Sequence, residues 1–380
     1  MSAGERLRVC LDVTAAGAQG AGIARYVREL AVALHRLPGG PELTALHHGP
    51  RRHALPPELE RCRGVDVAVR ERVWRSAALA ATHVGRRWAG GVDVFHGTDV
   101  VVLPVGRATV VTVHDLSALH QPAHVARLNR WYLRRAMPRM VGSADAVITP
   151  SEATAAAIRD RLDVPPEAIH VVPHGVDHGR FRPQDPKAPR RRVDAELGVG
   201  AVGTGYGLVV GTLEPRKNLG TVLEAWAGLR PRIPLVVVGA DGWASVALTE
   251  QTERLGIGDL VRRTGRVSDE LLADLYAGAR VVVSMSWDEG FGLPVLEAMA
   301  CGTPVVASDR GSLPEVTGGA ALLVAPADVR ALTEAVTAVV GDATLGARLG
   351  DAGRRQAATF SWEETARRTL AVYASALARR

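Results

Sequence analysis

Short apolar stretches alternate with amphipathic segments along most of this chain. In the first half, the pattern predicts a helix over residues 23–37 and strands at residues 7–13, 43–48, 92–96, 109–113, 146–149 and 170–172. In the second half, it predicts strands at residues 208–210, 235–238, 261–264, 281–284, 304–307 and 321–324, with helical patterns between them. Because strands that alternate with helices form parallel sheets covered by helices, the pattern predicts an α/β protein.

The alternation is interrupted over residues 174–207, where Pro, Gly and charged residues are frequent and periodicity is weak. We interpret this stretch as a linker that leads into a second domain. We expect an N-terminal domain over residues 1–177, a C-terminal domain over residues 178–360 and a final helix over residues 361–380 that ties the two together. A chain of 380 residues is long enough for two domains, each with its own core.

Composition and charge narrow the function classes. The net charge is +6, and aromatic residues are 4% of the chain without any motif that interleaves them with Arg, which argues against nucleic-acid binding. Five arginines lie on two faces of one predicted helix: Arg127, Arg130, Arg134, Arg135 and Arg139. A solvated helix face explains them better than docking on anionic lipid, which stays an alternative.

The cysteines and the N-terminus bear on the compartment. Cys10, Cys62 and Cys301 lack any close spacing, which favours a reducing environment. The N-terminus, MSAGERLRVCLDV, lacks the apolar core of a signal peptide, and the longest uncharged run, residues 198–213, is too short to span a bilayer. We predict a cytoplasmic protein whose membrane contact, if it has any, is peripheral and at the inner face.

The sequence EGFGLPVLE at residues 289–297 carries the most chemistry. Its glycines allow close backbone approach, and its proline suits the first turn of a helix, whose free N–H groups attract an anion. Glu289 lies just before this helix and Glu297 lies inside it, so the two carboxylates should be several ångströms apart. We expect them to hold different parts of one phosphorylated sugar ligand.

A pair of cations follows the predicted strand at residues 208–210. The chain contains 44 Arg and only two Lys, yet Lys217 directly follows Arg216 in the turn GTLEPRKN, and Asn218 is placed to cap the next helix. A solvated basic turn is the simpler interpretation of an Arg-Lys pair. Its place after a buried strand favours a clamp for a diphosphate, since ligands of open parallel sheets bind at the carboxyl ends of strands.

Five motifs in order along the chain carry a family resemblance: GIARY at residues 22–26, VHD at 113–115, PHGVD at 173–177, GTLEPRKN at 211–218 and EGFGLPVLE at 289–297. Together they resemble the retaining glycosyltransferases of family 4. The resemblance implies the GT-B architecture, in which two Rossmann-like domains face each other. It also implies that the C-terminal domain holds a nucleotide-sugar donor and the N-terminal domain a hydroxyl acceptor.

The resemblance also implies roles for single residues. Glu297 would hold the ribose hydroxyls of the donor, Glu289 would contact the transferred sugar, and Arg216 with Lys217 would neutralise the diphosphate. Backbone groups would contact sugar, phosphate or base at six further positions: Gly22, Val267, Gly290, Phe291, Gly292 and Leu293.

A histidine after a predicted strand is the second catalytic candidate besides Glu289. On its own, His114 would more often be a packed residue, but the resemblance places a histidine against the donor sugar at this position. Four neighbours of strand ends are candidates for the acceptor side: His96, Asp115, Ser151 and His174. His174 stands where the family usually has Asn.

The predicted mechanism is transfer with retention by attack on the same face, while the departing diphosphate takes the acceptor proton. The chain contains no Asp-x-Asp pair and no His or Cys cluster with the spacing of metal ligands, so we predict transfer without a metal or other cofactor. Similarity to bacterial mannosyltransferases favours GDP-mannose as the donor, and UDP- and dTDP-sugars stay open.

Three other functions compete with this prediction. The loop GAQGAGIAR suggests a dinucleotide-dependent dehydrogenase, but Arg25 replaces the third glycine of that fingerprint. A sugar-nucleotide epimerase of the same architecture would share the donor site. A non-catalytic module that binds sugar nucleotides is the third alternative.

Overall fold

The computed structural model describes residues 6–17, 22–48, 62–67, 91–99, 106–116, 137–200, 204–242 and 245–379 of the chain. The chain divides into two compact units: unit 1 consists of residues 1–175 and 362–380, and unit 2 of residues 176–361. The Arg-rich predicted helix lies outside the described residues except for its last four positions, 137–140.

Unit 1 is built on a parallel sheet, which in the described residues has the strand order β3-β2-β1-β4-β5-β6-β7. Its strands are β1 (Arg8–Asp12), β2 (Glu42–His48), β3 (Arg63–Val67), β4 (Val94–Gly97), β5 (Ala108–Thr112), β6 (Ala146–Thr149) and β7 (Ile169–Val171). Its helices include α1 (Gly22–Arg36) and α2 (Glu152–Arg161), and short 3-10 turns form at Thr14–Gly17 and Pro166–Ala168.

Buried apolar side chains hold this sheet between its helices. Val9 of β1 pairs in register with Leu43 on one side and Val94 on the other, so β1 is an interior strand of the sheet. Val9 is fully buried, as expected where helices cover a parallel sheet. The strand order reverses between β1 and β4. Side chains at the carboxyl ends of these two strands therefore line a crevice in which ligands of such sheets bind.

Unit 2 repeats the same topology, with the order β10-β9-β8-β11-β12-β13. Its strands are β8 (Gly207–Val210), β9 (Leu235–Val238), β10 (Val261–Gly265), β11 (Val281–Ser284), β12 (Val305–Ser308) and β13 (Leu322–Val324). Its helices are α3 (Lys187–Leu197), α4 (Leu219–Gly228), α5 (Ser245–Arg254), α6 (Asp269–Gly278), α7 (Leu293–Ala300), α8 (Leu313–Thr317), α9 (Val329–Gly341) and α10 (Ala343–Ala357), and a 3-10 turn forms at Pro215–Lys217.

The second switch point lies between β8 and β11. These strands are neighbours, since Val281 pairs with Gly207 and Val282 with Leu208. The core beneath them includes Trp226, which is fully buried and donates its indole N–H to the carbonyl of Ile233 at 2.9 Å. The loops that follow β8 and β11 are therefore brought side by side by the sheet itself.

The interpretation of residues 174–207 as a linker is wrong in part, because α3 forms within them. Arg190 Nε donates to the carbonyl of Gly278 at 2.8 Å, and Arg192 forms a bidentate ion pair with Asp274. Both partners lie on α6, so α3 is an integral part of unit 2. These contacts join positions far apart in sequence, which is why local periodicity does not reveal them.

The C-terminal helix, α11 (Trp362–Ala378), belongs to unit 1. Thr365 Oγ1 donates to the carbonyl of Pro173 at 2.8 Å, and Tyr373 is fully buried with its hydroxyl 2.7 Å from His96 Nδ1. The end of the chain thus returns to complete the N-terminal unit. Among the described residues, no helix is both long and apolar enough to cross a membrane.

Candidate active site

A cluster of charged side chains occupies the switch point of unit 2. The loop after β8 brings Arg216 and Lys217 to this edge, and the loop after β11 brings Ser286 and Glu289. Lys217 Nζ donates to Glu289 Oε2 at 2.7 Å and Ser286 Oγ donates to the same oxygen at 2.9 Å. Arg216 Nη1 lies 3.4 Å from it. We call these four residues the switch-point cluster.

Electrostatics keep the carboxylate of the cluster ionised. The side chains of Glu289, Lys217 and Arg216 are 11%, 16% and 17% exposed. Burial opposes ionisation of Glu289, but the two cations and the hydrogen bonds from Lys217 and Ser286 outweigh it and lower its pKa to about 2. Glu289 is therefore a hydrogen-bond acceptor at neutral pH and cannot donate a proton.

The guanidinium of Arg216 is held in place by the surrounding loops. Glu214 Oε1 accepts from its Nη2 at 2.8 Å and from its Nε at 3.1 Å, and the carbonyl of Asp288 accepts from its Nη1 at 2.9 Å. The backbone N–H of Trp287 donates to the Arg216 carbonyl at 2.9 Å. The two loops are therefore fastened to each other by side-chain and backbone contacts.

Helix α7 begins directly after the cluster. Gly292 precedes it with φ +95°, a conformation that favours glycine, and Pro294 lies in its first turn. Phe291 and Leu293 have buried side chains, and the Phe291 ring packs edge-on against Phe360 at 5.9 Å. These two predicted site residues, like Gly290 beside them, can therefore offer a ligand their backbone groups.

Glu297 lies inside α7 with 4% of its surface exposed. Tyr276 on α6 donates its hydroxyl to Glu297 Oε2 at 2.9 Å. Glu289 and Glu297 have different partners, and the predicted separation of the two carboxylates stays a prediction. No local pattern points to this tyrosine, because it lies on a different helix from Glu297.

The structure also describes three further residues that the sequence pointed to: Asn218, Val267 and Gly22. Asn218 occupies the position before α4 with φ +52°, but its side chain accepts no hydrogen bond from a backbone N–H of the helix. Its Oδ1 accepts instead from the hydroxyl of Thr221 at 2.9 Å. The predicted cap is therefore wrong: its amide donates to the carbonyl of Pro326 at 2.7 Å. Val267 is half-buried and follows β10, and Gly22 is the exposed first residue of α1.

His114 follows β5 in unit 1 and is half-buried. Burial lowers its pKa, against the opposing influence of Asp99, Thr98 and the adjacent Asp115, so the ring is neutral at pH 7. Its Nε2 is 2.9 Å from the carbonyl oxygen of Thr98. Since a carbonyl only accepts, Nε2 carries the proton and Nδ1 is left as an acceptor.

The switch point of unit 1 holds an acid and a histidine that the sequence analysis did not single out. Asp12 at the end of β1 lies 3.4 Å from His48 Nε2 at the end of β2, and both are buried. Burial raises the pKa of Asp12, but hydrogen bonds from His48 and Thr14 hold it below its ordinary value. Thr98 Oγ1 donates to the Asp12 carbonyl at 2.6 Å. The signal that the sequence offers is that a polar residue stands at the end of each of these two apolar strands.

Three of the candidates for the acceptor side are interior residues. His96 is fully buried, with Nδ1 on Tyr373 and Nε2 2.8 Å from Thr112 Oγ1. Ser151 is also fully buried and caps α2 by accepting from the N–H of Thr154. The His174 ring is 3% exposed and packs against aromatic rings of Tyr26 and Trp362. These contacts favour a structural role for the three, whereas Asp115 is half-buried.

Possible metal ligands were predicted to be absent. Within the part of the chain that the structure describes, no group of three or more His, Cys, Asp or Glu side chains is arranged to hold a metal ion. The prediction of transfer without a metal stays a prediction.

A solved structure defines the class of fold. The chain is similar to sucrose-phosphate synthase from Thermosynechococcus elongatus, with a TM-score of 0.79 and 23% identity over 99% of this chain and 100% of that one. The predicted fold class is thereby confirmed: the protein has the Rossmann-like α/β units of the GT-B glycosyltransferases.

Sequence comparisons then identify the family. The model described as Glycosyltransferase Family 4 matches residues 20–180, and that of Glycosyl transferases group 1 matches residues 203–356. The O-antigen chain mannosyltransferase B of Escherichia coli is 32% identical over 74% of this chain and 74% of its own length. The MMP alpha-(1->4)-mannosyltransferase of Mycolicibacterium hassiacum is 36% identical over 80% and 75%. The chain belongs to glycosyltransferase family 4, which confirms the predicted family and the predicted enzyme class.

Proposed function

We propose that this glycosyltransferase moves a mannosyl group from GDP-mannose to a hydroxyl acceptor, with retention of configuration and without a metal ion. The switch-point cluster carries the proposal, because it places two cations and an ionised carboxylate at the carboxyl edge of the unit 2 sheet. The choice of mannose is supported by the two relatives named as mannosyltransferases.

In this proposal, Arg216 and Lys217 bind the diphosphate of the donor and stabilise the charge that grows on it as the sugar leaves. Both already contact Glu289, so the donor joins a preformed network. The N-terminus of α7 supplies backbone N–H groups for the same anion. Two cations and a helix terminus can provide the charge that a metal provides elsewhere, which supports transfer without one.

Glu289 contacts the transferred sugar in this proposal. Its Oε2 receives all three contacts of the cluster, so Oε1 takes no part in them and can accept a sugar hydroxyl. Its low pKa excludes a role as general acid at neutral pH and also makes it a weak base. In this proposal the leaving diphosphate therefore takes the proton of the acceptor during attack on the same face.

Glu297 accepts the ribose hydroxyls, and His114 accepts a hydroxyl of the transferred sugar. The second role follows from the tautomer, since Nδ1 carries a lone pair. Burial makes the ring of His114 a weak base, so it acts as a hydrogen-bond acceptor and does not carry a proton.

Nucleotide binding tests the donor. We would measure thermal unfolding with chelator and equal concentrations of GDP, UDP, dTDP or NAD, since a ligand at about 100 times its Kd stabilises by about 2.7 kcal/mol. We expect GDP to give the largest shift. A larger shift with UDP or dTDP would move the donor to those sugars, and a shift with NAD alone would contradict the donor site.

The two lysines of the chain provide matched variants. Lys217→Met removes the cation of the cluster, whereas Lys187→Met removes an exposed cation at the start of α3. We expect Lys217→Met to weaken the GDP-induced shift and to lower kcat/KM at least a hundredfold, and Lys187→Met to change neither. Equal effects of both variants would contradict a specific role for the cluster.

Product analysis separates the remaining functions. Incubation of GDP-mannose with sugars, sugar phosphates and glycolipids should yield an α-linked product, as seen by NMR of the anomeric centre. A β-linked product would contradict retention. A changed sugar nucleotide in the absence of any acceptor would indicate an epimerase, and tight GDP binding without turnover on any acceptor would favour a binding module.

A further inference from the structure

The hydrogen bond between Tyr276 and Glu297 joins two helices beneath the donor site. Tyr276 is fully buried on α6, and its hydroxyl donates to Glu297 Oε2 at 2.9 Å. Two further contacts fix the tyrosine: its ring packs edge-on against Phe181 at 5.7 Å, and its carbonyl accepts from Thr303 Oγ1 at 2.7 Å. The Tyr276 hydroxyl, which donates this hydrogen bond, is thus held in one place before any ligand binds.

We propose that Tyr276 is a positioning residue for the donor: it fixes the carboxylate of Glu297 in the orientation that accepts the ribose hydroxyls. The proposal rests on the proposed function, in which Glu297 contacts the ribose. A glutamate side chain has several rotamers, and selecting one of them on binding weakens affinity. A carboxylate has about four lone-pair directions, so the bond from Tyr276 leaves capacity for a ligand.

A purely structural role is the competing explanation, and the chain offers a matched control for it. Tyr206 is also fully buried, and its hydroxyl donates at 2.8 Å to the carbonyl of Leu275, the neighbour of Tyr276 on α6. Tyr206→Phe therefore removes a buried tyrosine hydroxyl bonded to the same helix without touching Glu297. Both variants should lower the melting temperature, so stability alone does not distinguish them.

The distinguishing measurement is the affinity for a nucleotide with and without its ribose hydroxyls. We would measure by calorimetry the Kd of GDP and UDP, and of their 2′,3′-dideoxy counterparts, for the wild type, Tyr276→Phe and Tyr206→Phe. We expect Tyr276→Phe to weaken the binding of the better ribonucleotide about tenfold, the size of one hydrogen bond to a charged group. Its effect on the dideoxy compound should stay below about twofold, and Tyr206→Phe should change neither Kd.

Kinetics give a second readout. Because the ribose is bound equally in the ground state and the transition state, Tyr276→Phe should raise the KM for the donor and leave kcat nearly unchanged. In a Glu297→Gln background, the additional change to Tyr276→Phe should have no further effect on GDP affinity, since the group that it positions has been altered.

The outcomes separate the two ideas. If the wild type binds no nucleoside diphosphate, or binds the dideoxy form as tightly as the ribonucleotide, the ribose role of Glu297 is wrong and the proposal falls with it. If the wild type discriminates and Glu297→Gln abolishes this, but Tyr276→Phe preserves it, only the role of Tyr276 is wrong. Equal weakening of ribo- and dideoxynucleotide by Tyr276→Phe would also overturn that role.

Discussion

Replacing Glu289 by Gln should destabilise unit 2 in a way that depends on pH. The change removes the negative charge that Lys217, Arg216 and Ser286 share, while it keeps the size of the side chain. Two cations then remain close together at a largely buried site without a carboxylate between them. Removing one partner of a buried ion pair costs far more free energy than the intact pair contributes relative to an apolar replacement of both partners.

The magnitude follows from the pKa of Glu289, which is lowered from 4.5 to about 2. Each pKa unit corresponds to about 1.4 kcal/mol, so ionisation in the folded state contributes about 3 kcal/mol to the free energy of unfolding at pH 7. A depressed pKa means that the unfolded chain binds the proton first as pH falls. The contribution is therefore complete above about pH 4.5, falls to roughly 1.5 kcal/mol at pH 3 and is lost below about pH 2.

Urea unfolding of the full chain between pH 7 and pH 3, followed by circular dichroism, measures this contribution. We expect Glu289→Gln to lower the free energy of unfolding by about 3 kcal/mol at pH 7 and by about half of that at pH 3. Glu334→Gln is the control, because Glu334 pairs with Arg330 on the exposed face of α9. That variant should leave the free energy of unfolding almost unchanged at both pH values, because an exposed ion pair contributes little. A loss from Glu289→Gln that is the same at both pH values would refute the electrostatic reasoning.

Three further predictions concern the fold and the reaction. Burial lowers the pKa of His96 from 6.5 to about 3, so the ring stays neutral in the folded state while the unfolded chain takes up a proton. As the pH falls from 6.5 to 3, the free energy of unfolding should therefore decrease by up to about 1.4 kcal/mol per pH unit. His96→Gln should make the measured slope shallower, and an unchanged slope would contradict this. A Cβ at Gly239 would lie 1.9 Å from the carbonyl oxygen of Gly211, so Gly239→Ala should cost roughly 3 kcal/mol or more. Gly258→Ala, with nothing within 4 Å, is the control in the same thermal melt. Transfer should be complete in EDTA, and loss of activity that magnesium or manganese restores would contradict the prediction of transfer without a metal.

Much of the fold follows from local pattern, because parallel strands covered on both faces are short runs of apolar residues. The strands Ala146–Thr149, Leu235–Val238 and Val281–Ser284 have the predicted bounds. Strand β3, with the sequence RGVDV, was not predicted, because its charged residues hide any such run. Helix α3 was missed for a related reason: its arginines are stabilised by partners on α6 that no local window contains.

In the candidate site, too, some residues were found from local sequence and others were not. Arg216 and Lys217 were found because they follow a predicted strand, and Glu289 because it precedes the glycines and proline of a predicted helix start. The parallel order then brings the ends of β8 and β11 together. Tyr276, Glu214 and the pair of Asp12 and His48 were not found. Tyr276, Asp12 and His48 act through contacts between separate elements. Glu214 contacts Arg216 two residues further along the same loop, and its residue type alone does not mark it.

The structure also gives a physical reason for lysine at position 217 in a chain that otherwise uses arginine. The side chain of Lys217 packs closely against the backbone at Gly211. A Cβ added at this glycine would lie 3.1 Å from the Cε of Lys217 and 3.6 Å from its Nζ. The ammonium meets the Oε2 of Glu289 at 2.7 Å while Arg216 approaches the same oxygen at 3.4 Å. An arginine would bring a second planar guanidinium beside the first, whereas a lysine brings a compact charge on a flexible stem. A compact point charge fits, and it leaves the fork of Arg216 free to be fixed by Glu214 and the carbonyl of Asp288.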